Sequence, residues 1–417
     1  MMNFLLIVIM TFFWLLLVYY SILLLAGVIH RKKENQRTRA KLTYYPSVAV
    51  LIPAHNEGLI IKDTLNAMMR LNYPGKIDVY LLDDQSEDRT SEIGKSYAEM
   101  FSRIHYICVP RGEPKGKSRV LNYGLSITES EYFIVYDADN QPEPDVIMKL
   151  MEISEQTDRA AGAVGYVRTI NQNKNLLTRM ISIEFQVFQL TMQSGRWNLF
   201  KLGSLPGTNM LLKRSIIEEL DGYDPYALAE DAELTIRITQ RGYLLPIVPN
   251  AQTWEQEPED LKTFLKQRTR WLIGNIYLLE KSLKSIQFWK GKTFFHSMQH
   301  LLTYFVFVFF LITSNALFIL SIFGMDLPIM AAPLLMIWFM SYIVYSMQVI
   351  SSLVMNQQTN LYSLFVGAIM YFTYAQLFII LLVRSFSIYV WNRIKGSTIG
   401  WDKTKRFKDA DKKEEAA

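Results

Sequence analysis

The sequence predicts an α/β domain built on a parallel sheet and tethered to a membrane by apolar helices. Three observations predict it. Apolar β-rich runs alternate with helical patterns between residues 47 and 275, a charge-free run fills residues 4–29, and a second apolar block extends over 301–382. With 50% hydrophobic and 20% charged residues among 417, the composition argues against a purely soluble chain. The 44 Lys+Arg against 39 Asp+Glu leave a net charge of +5 without a dense basic stripe, so nucleic acid is not an expected partner. A single cysteine, Cys108, excludes an internal disulfide framework and a Cys-rich metal site.

Residues 4–29 exceed the ~20 needed to cross a hydrocarbon core, and no basic n-region precedes them, so they read as an uncleaved anchor rather than a signal peptide. Arg31, Lys32, Lys33, Arg37, Arg39 and Lys41 follow at once and place the next region in the cytoplasm, with the N-terminus outside. The expected organisation is a membrane helix (1–30), a basic linker (31–46), the α/β domain (47–275), an interfacial segment (276–298), C-terminal membrane helices (299–390) and a charged tail (391–417). The second apolar block breaks at GMD and NQQTN into runs 301–323, 327–355 and 361–382, which predict three more spans. Four spans would put the tail outside, whereas its Lys and Arg between 393 and 413 call for the inside. The conflict disappears if one run is re-entrant or lies in the interface. Between 276 and 298, Leu278, Leu279, Leu283, Ile286, Phe288 and Trp289 mix with Lys281, Lys284, Lys290 and Lys292, the pattern of an amphipathic helix lying on the membrane or packed on the soluble domain.

Within the α/β domain, 47–52, 78–82, 104–109 and 132–136 read as strands, and 57–71, 90–101 and 118–127 as helices. Ligands in such sheets bind beyond the carboxyl ends of the strands. The loops found there are PAHNE (53–57), DDQSED (83–88), GKSRVLN (116–122) and DADN (137–140), with no GxGxxG or Walker A string.

Each loop carries a group with a use. Asp137 and Asp139, two apart on an extended chain, present both carboxylates to one hard cation, Mg²⁺ or Mn²⁺. Asp83 and Asp84 could form an Asx turn and helix cap, or Asp84 could accept a hydrogen bond from a base or ribose. Lys117 opens a helix, where exposed N–H groups and an amine suit phosphate. Glu230 and Asp231 stand at a helix entrance. Capping is one reading of them; the other is a general base whose pKa a like-charged neighbour raises. In QRTRW (267–271), Gln267, Arg270 and Trp271 share one helical face, the arginine suited to phosphate oxygens and the indole to a sugar ring.

In this order PAHNE, DD, GKSRVLN, DAD, GTN (207–209), AED (229–231) and QRTRW resemble the membrane-integrated processive family 2 glycosyltransferases, among them cellulose, hyaluronan and poly-N-acetylglucosamine synthases. The resemblance covers 47–275 and the flanking helices. It implies a GT-A fold, a UDP-sugar donor, a growing polysaccharide acceptor, a divalent metal and a multi-pass protein of the plasma membrane. By position it assigns Ala54, His55, Asn56, Glu57 and Asp84 to the nucleoside, Lys117 and Arg270 to the diphosphate, and Asp137 and Asp139 to the metal. It further makes Asp231, with Glu230, the base, and gives Gly207, Thr208, Asn209, Gln267 and Trp271 to the acceptor. Two departures bear on which polymer is made: AED stands where TED is usual, and QRTRW continues as LIGN. Size and span arrangement look most like the poly-β-1,6-N-acetylglucosamine synthases. Control by a cyclic dinucleotide would have to come through a partner such as an accessory membrane subunit. A non-processive enzyme making a membrane glycolipid is the alternative with the same donor site; a catalytically dead scaffold subunit is disfavoured by the intact set of carboxylates.

Overall fold

The computed structural model describes residues 2–37, 42–302 and 331–395, scattered residues between 306 and 323, and the pair 406–407. Helix α1 (Met2–Gln36) leads into an eight-stranded sheet with the order β3-β2-β1-β4-β7-β6-β8-β5. Its strands are β1 (Val48–Ala54), β2 (Ile77–Asp83), β3 (Ile104–Cys108), β4 (Tyr132–Val135), β5 (Gln141–Pro142), β6 (Gly162–Thr169), β7 (Met210–Lys213) and β8 (Ile247–Glu255). The four strands expected from sequence form the parallel half. The other half corrects the all-parallel expectation, because β7 runs antiparallel to both β4 and β6, and β5 antiparallel to β8.

Alternating side chains of β1 supply two cores. Val48, Val50 and Ile52 face one side, with Ile61 and Leu65 of α2 (Ile61–Met69) and Leu150 of α5 (Val146–Gln156). Ala49 and Leu51 face the other, with Leu121 of α4 (Lys117–Ser126), Ile217 of α8 (Arg214–Glu219) and Leu234 of α9 (Glu230–Gln240). Helix α3 (Thr90–Met100) covers β2 and β3.

Register then positions the loops. Ala54 lies beside Asp83, Asp83 beside Cys108, Leu51 beside Val135, and Val135 beside Met210. The loops after β1, β2 and β4 and the loop before β7 therefore leave the sheet at one edge.

A third core joins this domain to the C-terminal helices: Ile181 and Ile183 of α6 (Leu176–Gln186) and Phe264 of α10 (Leu261–Lys284) pack with Val349, Leu353 and Val366. A π-helical stretch, Val187–Gln193, continues α6 into α7 (Ser194–Phe200). Helix α1 approaches α7 and this stretch closely at two glycines. A Cβ on Gly27 would lie 2.6 Å from the Thr191 carbonyl oxygen, and one on Gly195 2.3 Å from that of Leu23.

Among the described residues, three helices are long and apolar enough to cross a membrane: Ile7–Gln36, Met336–Met355 and Tyr374–Lys395; Leu361–Met370 is shorter. The run 361–382 is thus two helices, interrupted at 371–373. The span expected at 301–323 lies largely outside the described residues. The segment 276–298 is also not one helix. Its first part is the end of α10, where Leu278 is buried beside Ile236 of α9 and Phe288, and Leu279 is also buried; a 3₁₀ turn (Ile286–Trp289) and α11 (Thr293–Leu301) follow. Of the apolar side chains there, Leu278, Leu279 and Phe288 are buried, whereas Leu283, Ile286, Phe294 and Phe295 remain exposed.

Candidate active site

Lys117 is the hub of the crevice beyond the sheet. It follows Gly116, whose φ of 149° suits glycine, and opens α4. Its amine donates to Asp137 Oδ1 at 2.5 Å and to the Gly207 carbonyl at 2.7 Å, and lies 3.6 Å from Glu230 Oε1. Burial works against this charge, but Asp137 and Glu230 outweigh it and raise the amine's pKa. Loop, metal-type carboxylate and acidic pair thereby meet at one side chain.

Asp231 sits in the first turn of α9. Its Oδ1 accepts from the Ala232 N–H at 2.8 Å, and its Oδ2 lies 3.3 Å from where a Cβ on Gly207 would stand. Any side chain at 207, where φ is 85°, would crowd the carboxylate. Desolvation, then the charge of Glu230, pushes the Asp231 pKa up to about 7. A carboxylate so placed can take up a proton near neutral pH.

Asp137, Asp139 and Glu255 offer oxygens within 4.8 Å of one another, the group among the described residues suited to a cation. Desolvation raises the pKa of both Asp139 and Glu255, as does the proximity of further carboxylates. An all-oxygen set crowded to this degree fits Mg²⁺ or Mn²⁺. Asp139 Oδ2 accepts from the Gln256 N–H at 3.1 Å and from Arg406 at 2.7 Å; Arg406 Nε also lies 3.3 Å from Glu57. Phe407 N–H donates to Gln256 Oε1, whose amide in turn donates to the Phe407 carbonyl. Residues 406–407 of the tail therefore lie on the catalytic face.

The loops after β1 and β2 interlock. His55 Nδ1 is 2.7 Å from the Asp84 carbonyl oxygen, Asn56 Oδ1 accepts from Glu87 N–H, and the Asn56 N–H donates to Ser86. Asn56 takes a φ of 55°, and Ala54 is buried at the strand end. Asp83 is buried and occupied by the Tyr106 hydroxyl and the Ser86 N–H, whereas Asp84 stands at the mouth of the crevice, paired with Arg119. Of the aspartate pair, Asp84 is the one a ligand can reach.

Helix α10 carries QRTRW with an Asp260 side chain capping its start. Arg270 faces the crevice, within electrostatic reach of Glu230, Asp137 and Asp231. Trp271 is 36% exposed and stacks on Phe185 at 6.3 Å. Arg268, which sequence reasoning passed over, lies 4.2 Å from the Trp271 ring, pairs with Glu184 at 2.6 Å and is only 2% exposed. Glu184 also accepts from the Tyr374 hydroxyl at 2.5 Å.

Two expected acceptor residues have a different place. Asn209 is fully buried; it accepts from the Tyr136 hydroxyl and donates to the carbonyls of Tyr166 and Ala251. Thr208, 3% exposed, accepts from the Asp137 N–H and donates to Asn140. Thr208 thereby braces the DAD loop, and Asn209 ties the end of β4 to β6 and β8, both held under the sheet edge by the antiparallel pairing of β7 with β4. Gly207 and Trp271 stay at the crevice, and Gln267, half-buried, has an unpartnered Oε1.

Glu255, Arg119, Arg268 and Arg406 were missed from sequence. Glu255 was legible as the acid closing a β-rich run; Arg406 lay in a tail read only as a topology signal.

Comparison with known proteins places this geometry. The model of the family described as glycosyltransferase like family 2 matches residues 46–274. The chain is 40% identical over 376 residues to the Bacillus subtilis (strain 168) protein named probable glycosyltransferase YdaM, covering 88% of this chain and 89% of that one. It is 25% identical over 240 residues to the poly-beta-1,6-N-acetyl-D-glucosamine synthase of Staphylococcus aureus (strain COL), covering 58% of this chain and 57% of the synthase. Among solved structures, the mannosyltransferase PcManGT from Pyrobaculum calidifontis, in complex with GDP-Man and Mn²⁺, superposes with a TM-score of 0.57 at 19% identity, over 87% of this chain and 98% of that one. The fold is GT-A. Since the family match spans more than half of the sequence and is centred on the loops that meet at Lys117, the chain belongs to glycosyltransferase family 2.

Proposed function

We propose that the chain is a membrane-integrated, inverting, metal-dependent hexosyltransferase that draws on a cytoplasmic UDP-sugar, UDP-N-acetylglucosamine, and extends a polysaccharide at the plasma membrane. The observation that carries the proposal is the Asp231 carboxylate, held beside Glu230 with a pKa near 7 and opening onto Gly207, within one cluster with Lys117 and Asp137. In the proposed step an acceptor hydroxyl gives its proton to Asp231 as its oxygen bonds to the anomeric carbon, and the bond from that carbon to the diphosphate breaks on the opposite face. Lys117 and Arg270 hold the diphosphate by charge, and Asp84 with the PAHNE loop holds the nucleoside. Asp137, Asp139 and Glu255 would hold the divalent ion, which when bound offsets charge on the leaving diphosphate. Trp271, kept in place by Phe185 and Arg268, is the platform for the acceptor sugar.

The membrane arrangement follows the same reading. Helix Tyr374–Lys395 is apolar enough to span, yet Tyr374 bonds to Glu184 near its start, and Tyr389 and Arg393 bond to Glu280 of α10 near its end. It lies along the catalytic domain in the interface, which leaves the tail inside, beside Arg406's partners. The positive cluster after α1 and the basic tail then agree on the cytoplasm.

The test is nucleotide release by the purified protein in lipid with Mn²⁺ or Mg²⁺, across UDP-sugars and GDP-mannose, followed by sizing of the product. A long polymer from UDP-N-acetylglucosamine is expected. A single-sugar glycolipid overturns polymerisation, and release from GDP-mannose alone overturns the donor.

A further inference from the structure

We infer that a basic recess on the face away from the donor crevice binds the phosphate of an anionic phospholipid headgroup. The recess has a volume of about 990 Å³ and is framed by Arg159, Arg241, Lys290 and Lys292, with Asp158 the one carboxylate in its lining and Thr293 among its hydroxyls. It lies between the turn after α9 and the turn that starts α11, both made possible by glycines with positive φ, Gly242 at 77° and Gly291 at 57°. Helix α9 carries Asp231 in its first turn and ends at Gln240, so the recess is about 15 Å from the catalytic carboxylate along the helix. It is a separate place from the donor site.

Arg241 has Glu219 at 3.7 Å and Arg159 donates to the Arg241 carbonyl, whereas neither Lys290 nor Lys292 has a carboxylate partner among the described residues. Further cations crowd in: Lys201, at the end of α7, is held below the ordinary lysine pKa by burial and by the charges of Lys33 and Lys292. Lys33 belongs to the end of α1, a helix apolar enough to span, so this cluster sits at the level where a bilayer presents its headgroups. The apolar side chains beside the two lysines point the same way. Ile286 is 74% exposed and Phe295 53%, with Phe294 between Lys292 and Phe295 also exposed. Cations beside uncovered aromatics and aliphatics on the stretch from Ile286 to Phe295 match a membrane interface, where phosphate and acyl chain are met together. A free phosphate would need the recess alone and would leave the apolar rim without a role.

The test uses the full chain, extracted in detergent, with bound lipid read by native mass spectrometry after exchange with phosphatidylglycerol or phosphatidylcholine. Wild type is expected to retain phosphatidylglycerol and not phosphatidylcholine. K290Q/K292Q is expected to lose roughly 30-fold in phosphatidylglycerol affinity, about fivefold for each charge. Nucleotide release without added lipid serves as the control for folding and should not change, since neither lysine touches the crevice. R159Q/R241Q, on the other wall, should weaken retention in the same direction. Equal retention by the variants, or of the two lipids, overturns the inference. Binding of inorganic phosphate with no preference for the lipid would establish an anion site and overturn the headgroup assignment.

Discussion

The Arg406 guanidinium sits 2.7 Å from the Asp139 carboxylate and reaches Glu57 with its Nε, so the tail of the chain supplies a cation to the carboxylates suited to a metal. A guanidinium and a divalent ion compete for the same oxygens. Arg406→Ala is expected to tighten Mn²⁺ binding to the nucleotide-free protein by roughly tenfold, about 1.4 kcal/mol, in a calorimetric titration. Unchanged Mn²⁺ affinity would separate Arg406 from the metal.

Asp231→Asn keeps the shape of the first turn of α9 and removes the proposed base. Turnover should fall by ~10²–10⁴ with donor affinity nearly constant. In the parent protein the rate should rise with pH through about 7 as the carboxyl ionises, because only the ionised form accepts a proton. A variant of normal turnover would remove Asp231 from the mechanism.

The buried carboxylates also set how stability depends on pH. Asp231 and Glu257 have pKa values raised to about 7, Glu257 chiefly by desolvation and then by Glu184 and Asp139, against the pull of Arg268. A raised pKa in the folded state means that the fold binds the proton more tightly than the unfolded chain. The associated stability is full below about pH 4 and is lost as pH rises toward 7. Thermal unfolding of the metal-free protein should therefore shift to lower temperature between pH 5 and pH 8, and Mn²⁺, which Asp139 and Glu255 with their likewise raised pKa values would hold once ionised, should raise it more at pH 8 than at pH 5. An equal Mn²⁺ effect at both values would contradict the assignment of ion and carboxylates to one site.

Asn209 tests the correction to the acceptor loop. Asn209→Ala removes the acceptor of the Tyr136 hydroxyl and the donor to two buried backbone carbonyls, and should cost on the order of 1–3 kcal/mol in stability. The acceptor KM of the folded fraction should not change. A raised KM with unchanged stability would return Asn209 to the acceptor.

The parallel half of the sheet was legible because its strands are short apolar runs bounded by turn residues, and the carboxyl-edge rule located the loops without any knowledge of pairing. The antiparallel insertion was not. Met210–Lys213 is four residues long and has no local signal that states its direction, which is set by the Val135 to Met210 register. For the same reason GTN could be located in the chain but not oriented, and only Gly207 faces Asp231. Lys117, Asp137 and Asp231 were found because their chemistry sits beside strand ends or helix starts. Glu255 and Arg406 join them from 118 and 269 residues beyond Asp137, a separation that no local pattern reports. The end of α10 could be read toward lipid or toward the soluble domain, because an amphipathic stripe looks the same whether it meets α9 or a bilayer.

Gly195→Val would force a side chain into the Leu23 carbonyl, a backbone neighbour that cannot swing aside. The expected loss is ~1–3 kcal/mol, read as a thermal midpoint several degrees lower in detergent. An unchanged midpoint would mean that α1 and α7 are not in rigid contact.

That contact has a consequence for engineering. Gly27 and Gly195 let two backbones nearly touch, so the first helix is keyed to the catalytic body much as a tongue is to a groove. Exchanging it for an unrelated hydrophobic anchor would keep attachment and lose alignment: the crevice would sit at a different height and tilt over the bilayer. A soluble version made by deleting the helix would need a new cover for α7, designed residue by residue, before its kinetics could stand for those of the intact enzyme.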